Sequence, residues 1–443
     1  MLIKVFFLFL IMVSAGRFID DIMSSLRRII PLLNKPDVES SYIISRELKK
    51  SWISEIFKKK NDAPIIAVDG SFGHVEMTDG TSLIFAQAEA IVGRGGEVTK
   101  EVTKADVYLY PSSLVEDFES RFSEDLEHRV ALEALKNAPE GGYILLDGSI
   151  IARQLNAAIS FERHGVFASR YAVNLMKLIE EARRRKHKIV AVSKGSRTRV
   201  LSTALIERAA RSIPVRSREE EAIISDLLSG RYMGAYKLLK SGRVNPAIED
   251  LVISAIRCTT DIRLIRSSGV SPPGRTEALR VGPYIRSAGE MMKRISRVEE
   301  AERMVMESGI THLEVSRGLI TEEEASEIAS EGARAVLSFP PCSLTYVWFR
   351  GDDDPMKVDI PLEGSWSSVG IEFMEDPDFL PDALGVLYDC YADPRNHNVY
   401  LEKADRDVKL TREDLEIYES ALERALGEPL RHSRSYRRYW GGL

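Results

Sequence analysis

The chain has little cysteine: Cys258, Cys342 and Cys390 are its only three in 443 residues, widely separated and in no C-x-x-C pattern. This excludes a disulfide framework and a zinc site of ordinary spacing, and it fits a reducing compartment. It also lacks an excess of positive charge. A formal net charge of −6 argues against a protein that coats nucleic acid through overall charge, while a locally basic channel stays open because binding depends on where Lys and Arg lie. There is no low-complexity segment and no internal repeat longer than a tripeptide. The apolar stretch at residues 2–14, "LIKVFFLFLIMVS", is interrupted by Lys4 and is too short for a comfortable transmembrane helix. Three readings of it stand open: a secretory signal or anchor, a start codon called too early with Met12 or Met23 as the true beginning, and a helix that docks on a partner. The remaining sequence reads as intracellular, with the cytoplasm as the expected location and no membrane association.

What is present is an ordinary globular composition, 44% hydrophobic and 29% charged, in a chain long enough for two or three domains. Residues 1–60 read as an N-terminal helical segment, with "SRELKKSWISEIFKKK" as a helix ending in a basic cluster. From Pro64 strands take over: "PIIAVDGSFGHVEM", "TSLIFAQAEAIVG" and "ADVYLYPSS", with turns at Gly70, Gly73 and Gly80, predict an antiparallel meander. The helix "LVEDFESRFSEDLEHRVALEAL" and the strand "GGYILLDGS" follow. The helix "RYAVNLMKLIEEARRRKHK" then feeds the strand "IVAVSK" in a β-α-β arrangement. Residues 202–337 read as a largely helical insertion, with a loop over 264–279. Strands return at "LTYVWFRG" and "MKVDIPL", then helices at "LPDALGVLYDCYAD" and "TREDLEIYESALERAL", where Thr411 and Asp414 make a capping box weaker than Glu or Gln would give. Residues 426–443 form a basic, aromatic tail suited to nucleic acid, a partner groove or solvent.

The chemistry concentrates in a repeated tripeptide. Asp69-Gly70-Ser71 closes "PIIAVDGS" and Asp147-Gly148-Ser149 closes "GGYILLDGS", so each carboxylate is expected at a strand end where the chain turns. One such Asp-Gly is ordinarily an Asx-turn; two after apolar strands in a β-α-β context make a pair of hard-oxygen ligands for Mg²⁺ or Mn²⁺. Phosphodiester cleavage needs an activated water and relief of charge on the leaving oxygen, which such metals supply. Glu127 and Glu133 are both available as a third acid on the intervening helix, with Glu116, Glu119 and Glu124 further out. Glu127, beside Leu126, could point inward. Lys194 in "AVSKGSRTRVL", with Ser196, Arg197 and Arg199 behind it, could bind phosphate or simply cap a loop. His74, His128, His164 and His187 stand in polar sequence and read as surface or satisfied residues.

These blocks resemble a known family, the archaeal NurA nucleases. The resemblance rests on "AVDGS", a helix bearing an acid about twenty residues before "ILLDGS", then "VAVSKGSR" and "LEKADRDVKLTREDL". It covers about residues 64–415. It implies an RNase H-like mixed α/β core in a nuclease domain spanning 61–425. The implied activity is an Mn²⁺-dependent deoxyribonuclease, with Mg²⁺ as the alternative metal and no small-molecule cofactor. Members are 5′-to-3′ exonucleases with single-strand endonuclease activity, homodimers around a DNA channel, and partners of the hexameric HerA ATPase in end resection and double-strand-break repair. The first sixty residues would serve dimer or HerA contact. On the family pattern Asp69 and Asp147 fall on metal-binding aspartates, Glu127 fits the intervening glutamate better than Glu133, and Lys194 falls on the lysine block. The C-terminal block departs: His397 stands where a Tyr is expected and Asp405 where a His is expected. Asp405 could still bind metal, and His397 could orient water or phosphate. An alternative register through Tyr391 and His397 keeps the residue types at the wrong spacing. The rival reading is a non-catalytic RNase H-like module that grips DNA or docks on an ATPase.

Overall fold

The structure, a computed structural model, describes residues 23, 25, 27, 42–55, 57–58, 63–240, 244–258, 260–283, 286–366, 370–394, 397–434 and 436. The apolar N-terminal stretch and residues 437–443 of the tail lie outside the described residues. No described helix is long and apolar enough to cross a membrane. The chain divides into two compact units: residues 1–49 with 205–259 and 263–269, and residues 50–204 with 260–262 and 270–443. The segment 202–337 is therefore shared between them.

The described residues of the smaller unit are mostly helical. The helices Arg218–Leu228 and Pro246–Arg257 begin at Ser217 and Asn245, whose side chains accept from Glu220 N (3.2 Å) and Ala247 N (3.0 Å), with Pro246 in the first turn. Short polar side chains satisfy the otherwise orphaned first-turn N–H groups, and Pro has none to lose.

The larger unit is built on one sheet of eleven strands among the described residues. They are β1 (Trp52–Ser54), β2 (Ile65–Glu76), β3 (Thr81–Arg94), β4 (Glu97–Pro111), β5 (Gly142–Asp147), β6 (His187–Ser193), β7 (Gly274–Thr276), β8 (Leu279–Val281), β9 (Cys342–Trp348), β10 (Met356–Pro361) and β11 (Ile371–Phe373). The order is β4-β3-β2-β5-β6-β10-β9-β7-β1, with β8 also pairing β9 and β11 pairing β8. An antiparallel meander β2-β3-β4 joined through β2 to the parallel strands β5 and β6 is the RNase H-like arrangement. The central runs "IIAV", "YILL" and "IVAV" are apolar on both sides because helices cover both faces of the sheet. On one face Ile65, Ala67, Tyr143, Leu145, Val190 and Val192 pack with Leu384 and Leu387 of the helix Leu380–Asp389 and with Leu401 and Ala404 of the helix Val399–Val408. The helix Val115–Asn137 packs on the meander. The outer strand β4 carries exposed Lys and Glu, which blunts it as an edge.

Three sequence expectations are corrected. The first Asp-Gly-Ser does not end its strand: β2 runs on to Glu76 because β3 continues to pair it, and only β5 stops there. "SRELKKSWISEIFKKK" is not one helix; the helix Tyr42–Lys50 stops and Trp52–Ser54 becomes β1, held by β7. Its Trp52 Nε1 donates to Ser271 O at 3.2 Å. The 264–279 loop instead holds the end of the helix Asp261–Ser267 and then β7.

Candidate active site

Strand alternation places the acids. Asp69 continues the Ile65, Ala67 face of β2 and Asp147 continues the Tyr143, Leu145 face of β5, and the parallel register pairs Val68 with Leu146. The two aspartates therefore stand side by side on adjacent parallel strands, Asp147 at the carboxyl end of β5 and Asp69 within β2 where its pairing with β5 stops, close to the usual place for a site in such sheets. Lys194, one residue beyond β6, has its Nζ 3.6 Å from Asp147 Oδ2. The helix Val399–Val408 covers this face and brings Asp405 into the same field. Asp69 is pushed up to about 8 by burial first, then by Glu127 and Asp147, with Asp405 also raising it. Its Oδ1 accepts from Gly70 N at 2.8 Å, which opposes the rise.

Glu127 reaches this centre from the helix Val115–Asn137 because Gly70 has no side chain. A Cβ at position 70 would lie 2.9 Å from Glu127 Oε1 and 2.6 Å from Ser123 Oγ. Glu127 Oε2 accepts from Arg153 Nη2 at 2.5 Å, and the same guanidinium donates to Asp147 O (2.9 Å) and lies 3.1 Å from His128 Nε2. Both partners are buried, at 5% and 2% exposure, so the ion pair is sealed from water. Burial raises the Glu127 carboxyl and Arg153 opposes it.

The two tripeptides do different work. Ser71 Oγ donates to Val408 O and accepts from Leu410 N at 3.1 Å, and Gln87 Nε2 donates to the same carbonyl at 2.7 Å. These bonds tie the end of the helix bearing Asp405 to β2 and β3. Ser149 instead caps the helix Ile150–Ile159, accepting from Ala152 N at 3.2 Å. Asp359 of β10 accepts from Ser149 Oγ (2.8 Å) and Ile151 N (2.9 Å), while Lys357 Nζ donates to Ser149 Oγ at 2.7 Å. The turn after Asp147 is thereby fixed by buried charged groups.

From the C-terminal block, Asn398 caps the Val399–Val408 helix, accepting from Tyr400 N and Leu401 N at 3.1 Å each. His397 is held below its usual range by burial; Asp353 and Asp147 oppose the fall and Lys194 adds to it. Its Nδ1 is 3.1 Å from Asp353 Oδ2 without hydrogen-bond geometry, and Tyr391 Oη donates to that oxygen at 2.9 Å. The structure therefore gathers Asp69, Glu127, Asp147, Asp405, Lys194 and His397 around one end of the sheet. Glu133 is elsewhere, paired to Lys104 at 2.5 Å. Arg153, Asp353 and the steric role of Gly70 were missed by sequence reasoning. The only signal for Arg153 was an Arg inside "IIARQL". His128, His164 and His187 are buried and do not lie at the surface.

Four carboxylates against Lys194 and the Glu127-bound Arg153 leave a negative centre of hard oxygen donors, which suits Mg²⁺ or Mn²⁺. No three of the four bring ligand oxygens within 4.8 Å of one another; among the described residues only Glu89, Glu101 and Asp407 do so.

Fold and site together define an RNase H-like α/β protein with an acidic, metal-compatible centre beside the end of β5. A family model for the NurA domain matches residues 63–301, more than half of the chain, and the chain belongs to the NurA family. Its fold is similar to the crystal structure of the NurA nuclease from Sulfolobus solfataricus, with TM-score 0.50 and 14% identity, covering 93% of this chain and 97% of that one. A crystal structure of NurA with manganese aligns with TM-score 0.39 and 16% identity, over 91% and 98% of the two chains. One bound to dAMP and manganese aligns with TM-score 0.39 and 13% identity, over 91% and 97%. Among curated proteins none matches.

Proposed function

We propose that this chain is a metal-dependent DNA nuclease whose centre is formed by Asp69, Glu127, Asp147 and Asp405. The observation that carries the reading is the side-by-side placement of Asp69 within β2 and Asp147 at the end of β5, with Asp69 pushed up to about 8 by burial first and then by its acidic neighbours. A cluster that repels itself this way is complementary to a divalent cation. Manganese is the metal named with other NurA structures, and the hard donor set here accommodates Mn²⁺ or Mg²⁺. When bound, such an ion lowers the pKa of its water and offsets charge at phosphorus. Lys194 is aimed at the same place, where its ammonium offsets negative charge on the substrate phosphate. Arg153 fixes the rotamer of Glu127. His397, neutral and beside Asp353, orients water or a neighbouring phosphate.

The finer assignment is 5′-to-3′ exonuclease with single-strand endonuclease activity, acting with a HerA-type ATPase as a homodimer in end resection. It rests on membership of the family and the resemblance of the sequence blocks. The test is Mn²⁺-dependent degradation of single- and double-stranded DNA by the full chain, its loss in EDTA, and its loss in Asp69→Ala and Asp147→Ala variants that keep the wild-type circular dichroism. Undiminished cleavage in either folded variant overturns the reading. Absence of cleavage by the wild-type chain with retained DNA binding favours the non-catalytic module.

A further inference from the structure

We infer that Glu89, Glu101 and Asp407 form a second divalent-cation site, separate from the Asp69–Asp147 centre, for a hard ion such as Mn²⁺ or Mg²⁺. Ligand oxygens of these three carboxylates lie within 4.8 Å of one another. Chain topology puts them there. Glu89 on β3 stands opposite Asp69, and Glu101 on β4 stands opposite Ile91, two residues along β3 and on the same face. Asp407 comes from the helix Val399–Val408, which packs on that face and is clamped there through Val408 O by Ser71 and Gln87.

Glu89 separates this cluster from a chance gathering of surface acids. It is 3% exposed, and its Oε2 is buried with no hydrogen-bond partner. A buried carboxylate oxygen left without a partner is costly, and the carboxylate that bears it lies against two others. The nearby cations are Lys403, whose Nζ is 2.7 Å from Glu101 Oε1 and 2.5 Å from Asp407 Oδ2, and Arg406, whose Nε is 3.3 Å from Asp407 Oδ1. Three carboxylates against this ammonium and guanidinium leave one negative charge, which becomes two when Lys403 withdraws, the complement of a divalent ion. Lys403 is the internal competitor: with 27% side-chain exposure it can swing into solvent when the ion enters. Because Asp407 lies on the helix that carries Asp405, an ion bound here would also brace the C-terminal block against the sheet.

The experiment is Mn²⁺ binding by the full chain, read by the electron paramagnetic resonance of free Mn²⁺. It is done in an Asp69→Asn, Asp147→Asn background that disables the other centre. The expected result is residual binding that weakens about tenfold or more on adding Glu101→Gln, and on adding Glu89→Gln, since even outer-shell losses cost 10–100-fold. Lys403→Met is expected to tighten it. Residual binding that ignores Glu89→Gln and Glu101→Gln in folded protein overturns the site, as does a background variant that binds no Mn²⁺. Glu101 is half exposed, at 48% of its side chain, so Glu101→Gln keeps the test open should Glu89→Gln misfold. Neither failure touches the nuclease reading, which is scored by DNA cleavage in chains with Asp69 and Asp147 intact.

Discussion

Replacing Gly70 by Ala tests the geometry of the centre without touching a charged group. The new Cβ would sit 2.6 Å from Ser123 Oγ, 2.9 Å from Glu127 Oε1 and 3.0 Å from Glu127 Cγ. Ordinary carbon contacts begin near 3.4 Å, so Glu127 must retreat by about half an ångström or more. It is not free to do so, because Arg153 grips it at 2.5 Å and Arg153 is itself held by Asp147 O at 2.9 Å. Overpacking of this kind costs about 1–3 kcal/mol, and a misplacement of about 1 Å at a reacting centre costs about a hundredfold in rate. The assay pairs thermal unfolding with Mn²⁺-dependent DNA degradation. The expected outcome is a modest loss of melting temperature with about a 10- to 100-fold loss of cleavage. Gly289→Ala is the control, since a Cβ there meets nothing within 4 Å and Ala favours a helix interior. Adding Ser123→Gly to Gly70→Ala relieves the shorter contact and is expected to recover stability more than activity. Full cleavage by Gly70→Ala with unchanged metal dependence would refute the role given to this glycine and to Glu127.

Arg153→Met strands a buried carboxylate and is expected to cost about 3–5 kcal/mol in urea unfolding, most of it regained in Arg153→Met/Glu127→Met; a loss below about 1 kcal/mol in the single variant contradicts the sealed pair. Lys194→Met is expected to lower cleavage about 10²–10³-fold with the melting temperature nearly unchanged, because its side chain is one-third exposed and the proposed mechanism sets it on developing charge; equal rates in Lys194→Met and wild type remove it from the mechanism. His74 Nδ1 donates to Glu119 Oε2 at 2.7 Å and is raised above 6.5, by that bond first. Its contribution to stability is thus complete below pH 6.5 and fades as pH rises through the folded value. An NMR titration is expected to show the raised midpoint falling in Glu119→Gln, and a midpoint that ignores the substitution contradicts the pairing.

The parts of the fold legible in the sequence are those with local cause. Runs such as "IIAV" and "YILL" read as central strands because both faces are covered, and the Thr411 to Asp414 spacing read as a capping box, which the structure forms in full. Glu127 was legible only as one of several helix acids, and its depth follows from the whole packing of Val115–Asn137 on the meander. What was illegible depends on distant chain. β1 becomes a strand because residues more than two hundred positions later pair with it. Arg153 reads as an ordinary helix residue until Glu127, twenty-six residues upstream, is brought against it. His128 and His164 stand in polar sequence that leaves surface and satisfied positions equally open, and both are fully buried, His128 against Arg153 and His164 against Tyr110 and Arg121.

The departure in the C-terminal block has a physical counterpart. Aspartate is shorter than histidine, so a carboxylate at position 405 serves the centre only if its helix is held close to the sheet and in fixed register. The chain supplies both conditions. At one end of the helix Tyr400 packs where a side chain at Gly93 would collide, and its hydroxyl accepts from Gly96 N at 2.8 Å. At the other end Ser71 and Gln87 hold Val408 O. Ser71 is the last residue of the first Asp-Gly-Ser. The tripeptide thus carries three separable functions on consecutive residues: a carboxylate at the centre, a gap that admits Glu127, and a hydroxyl that fixes the helix bearing Asp405. In the second copy Gly148 turns the chain, with φ +97, and Ser149 caps a helix. Only the aspartates are equivalent, because β2 continues past its copy whereas β5 ends at its own.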